Sequence, residues 1–67
     1  MKRIKFQGKE WILVNDPNSN KLDGPIATEQ QYVDFDCPYA HLFPDGIIKR
    51  FGEQIGTIDD IEVLPDA

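Results

Sequence analysis

The five residues Phe43-Pro44-Asp45-Gly46-Ile47 constrain this chain more than any others, because they specify a chain reversal and, through it, a pairing register. Pro44 presets the first turn angle, Asp45 tolerates the second, and Gly46 can take the left-handed conformation that closes a three-residue loop. Pairing Phe43 with Ile47 sets His41 opposite Lys49 and Tyr39 opposite Phe51 on one face, with Leu42 opposite Ile48 and Ala40 opposite Arg50 on the other. Neither face is cleanly polar. Such a hairpin is expected to be covered on both sides, by the rest of the fold on one and by a partner on the other.

The remaining segments are read relative to this hairpin. Lys2 to Asn15 fits a first hairpin, with Gly8-Lys9 as a two-residue turn and Gln7 paired with Glu10. Ile4, Phe6, Trp11 and Leu13 then share a core face, and Arg3, Lys5, Gln7, Glu10, Ile12 and Val14 the opposite one. Asn15 to Pro25 is dense in turn formers without periodicity, which reads as a loop with a tight turn at Asp23-Gly24. Thr28-Glu29-Gln30-Gln31 has capping-box spacing, so a short helix is expected from Glu29, with Tyr32 and Phe35 on one side. A strand through Val33, Phe35 and Cys37 competes with it. Phe51 to Gly56 reads as a bend between strands. Thr57, Ile58, Ile61 and Val63 supply a further short strand or two, interrupted by a turn at Asp59-Asp60, and Leu64 to Ala67 is expected to fray.

A chain of 67 residues is a single domain, 1–67, near the lower limit for burying enough surface to fold alone. Its one cysteine, Cys37, allows no internal disulfide, which suits a reducing compartment and leaves oligomerisation as an added source of stability. The net charge of −5 argues against nonspecific phosphate binding over the whole surface, but the charge is uneven. Lys2, Arg3, Lys5 and Lys9 face only Glu10 among the first ten residues, whereas Glu53, Asp59, Asp60, Glu62 and Asp66 have no basic neighbour after residue 52. The two ends are therefore suited to pair across a sheet, or head to tail between subunits. No run approaches the about 18 apolar residues that cross a bilayer, and no signal peptide is evident, so no membrane partner is expected and the location is read as cytoplasmic.

The chemistry-bearing residues are few. Cys37 and His41 lie four apart near Asp34 and Asp36, without an evident third group or oxyanion site for catalysis, and with too few thiolate or imidazole ligands for a metal. Asp16-Pro17-Asn18-Ser19-Asn20 hints at calcium ligands but lacks the glycine and glutamate of a calcium loop. No phosphate loop, dinucleotide fingerprint or zinc-finger spacing occurs. No cofactor is expected, and the chain reads as non-catalytic. The positive candidates are Tyr39, His41, Lys49 and Phe51, which the hairpin register gathers on one face where aromatics and a cation can anchor a protein or stack on a base. A second layer of core would claim Tyr39 and Phe51 equally well.

The segment Pro38 to Thr57, PYAHLFPDGIIKRFGEQIGT, resembles one in small uncharacterised proteins of tailed phages and marine viral samples; a phage origin would imply the host cytoplasm. The chain is also similar to the Sm/Lsm family of small RNA-binding barrels, through Phe35-Asp36 before a strand and Arg50-Phe51-Gly52 followed by Ile55 and Ile58. Phe51 separates the Arg-Gly pair of that family, and Tyr39-Ala40 stands where it has the Met-Asn that contacts bases, so the resemblance implies the barrel without its RNA site. The expected fold is mainly β: a small antiparallel SH3-like or Sm-like barrel of about five strands with one short helical segment. The expected function is binding of another protein, or of its own copies as a homo-oligomer, through the central hairpin face. Two alternatives are nucleic-acid binding, with Lys2, Arg3, Lys5 and Arg50 on phosphates, and acidic mimicry of nucleic acid.

Overall fold

The structure is a computed structural model that describes residues 2–15 and 22–65. The elements in chain order are β1 (Lys2–Phe6), β2 (Lys9–Leu13), β3 (Gly24–Ala27), α1 (Glu29–Val33), β4 (Ala40–Leu42), β5 (Ile47–Arg50), β6 (Glu53–Thr57), a 3-10 turn (Ile58–Asp60) and β7 (Glu62–Val63). The seven strands among the described residues form one antiparallel sheet in the order β6-β5-β4-β3-β2-β1-β7. Laid flat, such a sheet would be about 29 Å wide and a single layer about 10 Å thick. The observed extents of 27 × 25 × 24 Å require it to curl into a half-barrel. The edges β6 and β7 are consecutive in sequence and joined through residues 58–61, and Phe6 of β1 lies against the backbone of Gly56 in β6. A Cβ at position 56 would sit 3.0 Å from the Phe6 ring, so glycine permits this closing contact.

The core lies in the concave face. Ile4, Phe6, Trp11, Leu13, Ile26, Ala40, Leu42 and Ile48 form one buried cluster, supplied by alternate residues of five strands. Ile12 and Ala27 are also buried but belong to the convex face, where α1 lies over β2 and β3. Five residues make too short a helix to stand alone in water. Its start is fixed by a complete capping box: Thr28 Oγ1 accepts from Gln31 N–H at 3.1 Å, and Gln31 Oε1 accepts from Thr28 N–H at 2.9 Å.

The central hairpin has the register its turn specifies: His41 faces Lys49, Leu42 faces Ile48, Phe43 N–H donates to the Ile47 carbonyl at 2.9 Å, and Gly46 takes φ +87°. The expected Tyr39–Phe51 pair does not form, because β5 ends at Arg50 and the chain turns at Phe51-Gly52. The first hairpin keeps its expected core face but turns one residue earlier, at Gln7-Gly8 with φ +55° and +72°, pairing Lys5 with Glu10 and Ile4 with Trp11. In this register the Trp11 indole Nε1–H donates to the Phe6 carbonyl at 3.0 Å, giving a buried donor its acceptor.

Two strands exceed the expected five. Gly24 and Pro25, read as loop residues, open β3 between β2 and β4; the Pro25 carbonyl accepts from Val14 N–H at 2.9 Å, so the ladder there needs no proline donor. Residues 53–56, read as part of a bend, form β6 together with Thr57, and β6 pairs with β5 through a bulge between Ile48 and Lys49. Residues 33–37 form no strand, and Phe35 lies beyond the helix rather than on a helical face shared with Tyr32. Leu64 N–H bonds the Arg3 carbonyl at 2.9 Å, extending the β1–β7 edge where fraying was expected. Residues 16–21 of the expected loop and the last two residues lie outside the described residues.

Candidate functional site

The four candidate residues Tyr39, His41, Lys49 and Phe51 line one shallow hollow of about 170 Å³, together with Pro38, Ala40 and Arg50. They do not behave alike. His41 and Lys49 are exposed on the convex face, where the His41 ring lies 5.1 Å from Phe43 and Lys49 Nζ stands 5.9 Å over the same ring. Tyr39 precedes β4 and turns toward the barrel end. There its ring stacks on Trp11 at 4.5 Å and 23°, and its hydroxyl donates to Gln7 Oε1 at 3.0 Å. Tyr39 is therefore half-buried against the core, whereas Phe51 is 92% exposed.

Arg50 takes the place opposite Tyr39 that the hairpin register had given to Phe51. Its guanidinium lies 4.7 Å from the Tyr39 ring and 4.9 Å from the Phe51 ring, and Nε–H donates to the Tyr39 carbonyl at 3.1 Å. With Lys9 Nζ 5.0 Å over Trp11, a continuous row of stacked groups runs Lys9, Trp11, Tyr39, Arg50, Phe51 from the core rim to solvent. Each cation–ring contact at such an exposed position contributes about 0.5–1 kcal/mol. Together with the Nε–H bond, these contacts hold Arg50 and Phe51 in one arrangement.

A second surface adjoins the hollow at Pro38, which lines both. This is an apolar groove of about 500 Å³ between α1 and the convex face, walled by Val14, Pro25, Ala27, Tyr32 and Val33. Phe35 stands beside it, 97% exposed at φ +55°. The backbone around Phe35 explains this conformation: Asp36 N–H reaches the Gln31 carbonyl at 2.9 Å and Phe35 N–H the Tyr32 carbonyl at 3.4 Å, the Schellman closure of a helix end that ordinarily places glycine at this position. Phe51, at φ +53°, likewise stands where a two-residue hairpin turn favours asparagine, aspartate or glycine. Sequence reasoning missed the groove, because no signal short of the exact helix end reveals that Phe35 must be left-handed.

The nucleic-acid candidates are not gathered. Arg3 pairs with Glu10 at 3.4 Å and with Glu29 at 3.9 Å, and Lys5 faces Glu62 across the β1–β7 ladder. The basic start of the chain thus meets the acidic end across the sheet, one of the two arrangements expected from its charge asymmetry. Lys2 is exposed on β1, separated by three strands from the Arg50 strand in the sheet order. Cys37 is an exposed free thiol, and its N–H donates to Asp36 Oδ1 at 2.8 Å. Among the described residues no group of three or more His, Cys, Asp or Glu is placed to hold a metal, and no helix is long and apolar enough to cross a membrane. No protein-family model, curated protein or solved structure matches the chain.

Proposed function

We propose that this chain is a non-catalytic protein-binding module whose contact surface is the outer face of the β4–β5 hairpin and the groove beside it. One observation carries this reading. The two most exposed aromatic side chains, Phe35 at 97% and Phe51 at 92%, are both held at positive φ. A bulky residue there costs about 1–2 kcal/mol of backbone energy, and neither ring recovers it by burial within the chain. Exposed aromatic side chains, in the case of Phe51 with an arginine stacked beside it, are the composition of interface anchors. Nucleic-acid binding draws on the same rings with less support, since Trp11 and Arg50 both lie against the Tyr39 ring and leave little of it for a base.

The test has two arms. Immobilised protein exposed to an extract of the cells that make it should retain a protein that Phe51→Ser and Arg50→Glu variants of unchanged Tm do not retain. Labelled single-stranded RNA and DNA, titrated at two salt concentrations, should show no binding; steeply salt-dependent binding would transfer the surface to nucleic acid.

A further inference from the structure

Resting on that reading, we propose that the occupant of this surface is a second copy of the same chain, docked about a two-fold axis near Pro38. The surface has two adjoining halves that meet at this residue. One half is cationic: Arg50, beside the exposed ring of Phe51, and Lys49, over Phe43 in the same hollow, have no carboxylate partner among the described residues. The other is acidic and apolar: Asp36 lines the groove, Asp34 lies on the other side of the exposed Phe35 in sequence, and among the described residues their carboxylates accept from Gln30 Nε2 at 2.7 Å and Cys37 N–H at 2.8 Å, neither a cation. A two-fold rotation lays the cationic half of each copy on the acidic half of the other, so the contact is made twice.

In this arrangement Phe51 enters the partner's groove, with Lys49 and Arg50 placed to meet Asp34 and Asp36 at its rim. Other occupants satisfy only part of the surface. A basic apolar peptide would answer the acidic half and leave Lys49 and Arg50 unmet; an acidic ligand would do the reverse. A copy of the chain answers both. Self-association also suits a domain of 67 residues whose single cysteine allows no internal disulfide.

Charge exchange tests the pairing. One variant carries Lys49→Glu and Arg50→Glu, a second Asp34→Lys and Asp36→Lys, and each is first checked for the Tm of the parent. In sedimentation equilibrium from about 1 μM to about 1 mM the parent should dimerise, and each variant alone should associate at least about tenfold more weakly, since like charges then meet at both contacts. An equimolar mixture of the two variants should recover the dimer, because every reversed charge again faces its opposite. A short bis-maleimide provides a readout that does not depend on stability: Cys37, next to Pro38 and exposed, should be joined copy to copy in the parent and in the mixture, but not in either variant alone. If a charge variant fails to fold, Phe51→Gly, compatible with its turn, should give the same tenfold weakening. A parent that stays monomeric throughout overturns the inference and leaves the capture experiment to decide the binding reading separately. A dimer that survives both reversals, or a mixture that does not recover it, overturns the two-fold pairing.

Discussion

Replacing Phe35 by glycine should make the isolated chain more stable, although it deletes a large apolar side chain. The ring is 97% exposed, so its removal sacrifices almost no burial. The backbone at φ +55° costs a side-chain-bearing residue about 1–2 kcal/mol that glycine avoids, while glycine's freer unfolded state takes back about 0.4–1 kcal/mol. The difference centres on about 0.8 kcal/mol, which for a domain of this size raises Tm by about 3–6 °C. Alanine at the same position keeps the backbone cost and loses only the ring, so Phe35→Ala should melt near the parent, with Phe35→Asn between alanine and glycine. Trp11, buried and the only tryptophan, reports unfolding by fluorescence. Urea and thermal transitions should be recorded at low micromolar concentration, where association adds little to stability. A Phe35→Gly variant no more stable than Phe35→Ala would refute the reasoning, because it would mean that the left-handed backbone carries no cost here.

Other perturbations probe different parts of the structure. Thr28→Ala removes the cap of a helix only five residues long and should cost about 1 kcal/mol, read as a Tm lower by about 4–8 °C. Gly24→Ala places a Cβ 2.5 Å from the Val14 carbonyl oxygen at φ +126° and should cost about 2 kcal/mol or more, leaving a chain partly unfolded by far-UV circular dichroism at 37 °C. Trp11→Phe keeps a ring against Tyr39 but leaves the Phe6 carbonyl without the indole donor, with an expected loss of about 1 kcal/mol in urea denaturation.

How much of this was legible in the sequence depended on whether the signal was local. The Pro44-Asp45-Gly46 turn fixed the His41–Lys49 register, and the Thr28/Gln31 spacing fixed the start of α1, because each is decided within a few residues. The core face of the first hairpin survived a misplaced turn. Moving that turn by one residue slid the pairing by two positions and left Ile4, Phe6, Trp11 and Leu13 on the same side. β3 was hidden because Gly24-Pro25 is turn chemistry by composition, and only its neighbours β2 and β4 make it a strand. β6 was hidden because its hairpin turn has phenylalanine where asparagine or aspartate would have marked it. The four candidate residues line one hollow, but not in the expected arrangement: Arg50, given to phosphates only in the nucleic-acid alternative, lies between the rings of Tyr39 and Phe51.

In the proposed dimer the two left-handed phenylalanines would connect stability to docking in a way that a single variant cannot separate. A domain of 67 residues has about 3–10 kcal/mol of stability, and two such residues remove about 2–4 kcal/mol of it. At position 51 the Arg50 contact offsets about 0.5–1 kcal/mol, so Phe51→Gly should be close to neutral for folding; at position 35 no comparable contact is present among the described residues. Burying one phenylalanine in a partner's groove contributes about 1.5–3 kcal/mol, enough to offset the strain at either site when the interface forms. A chain with glycine at both positions should therefore be the more stable monomer and the poorer dimer. If it is more stable and still dimerises like the parent, the strained rings are not the anchors, and the association must rest on the charged halves alone.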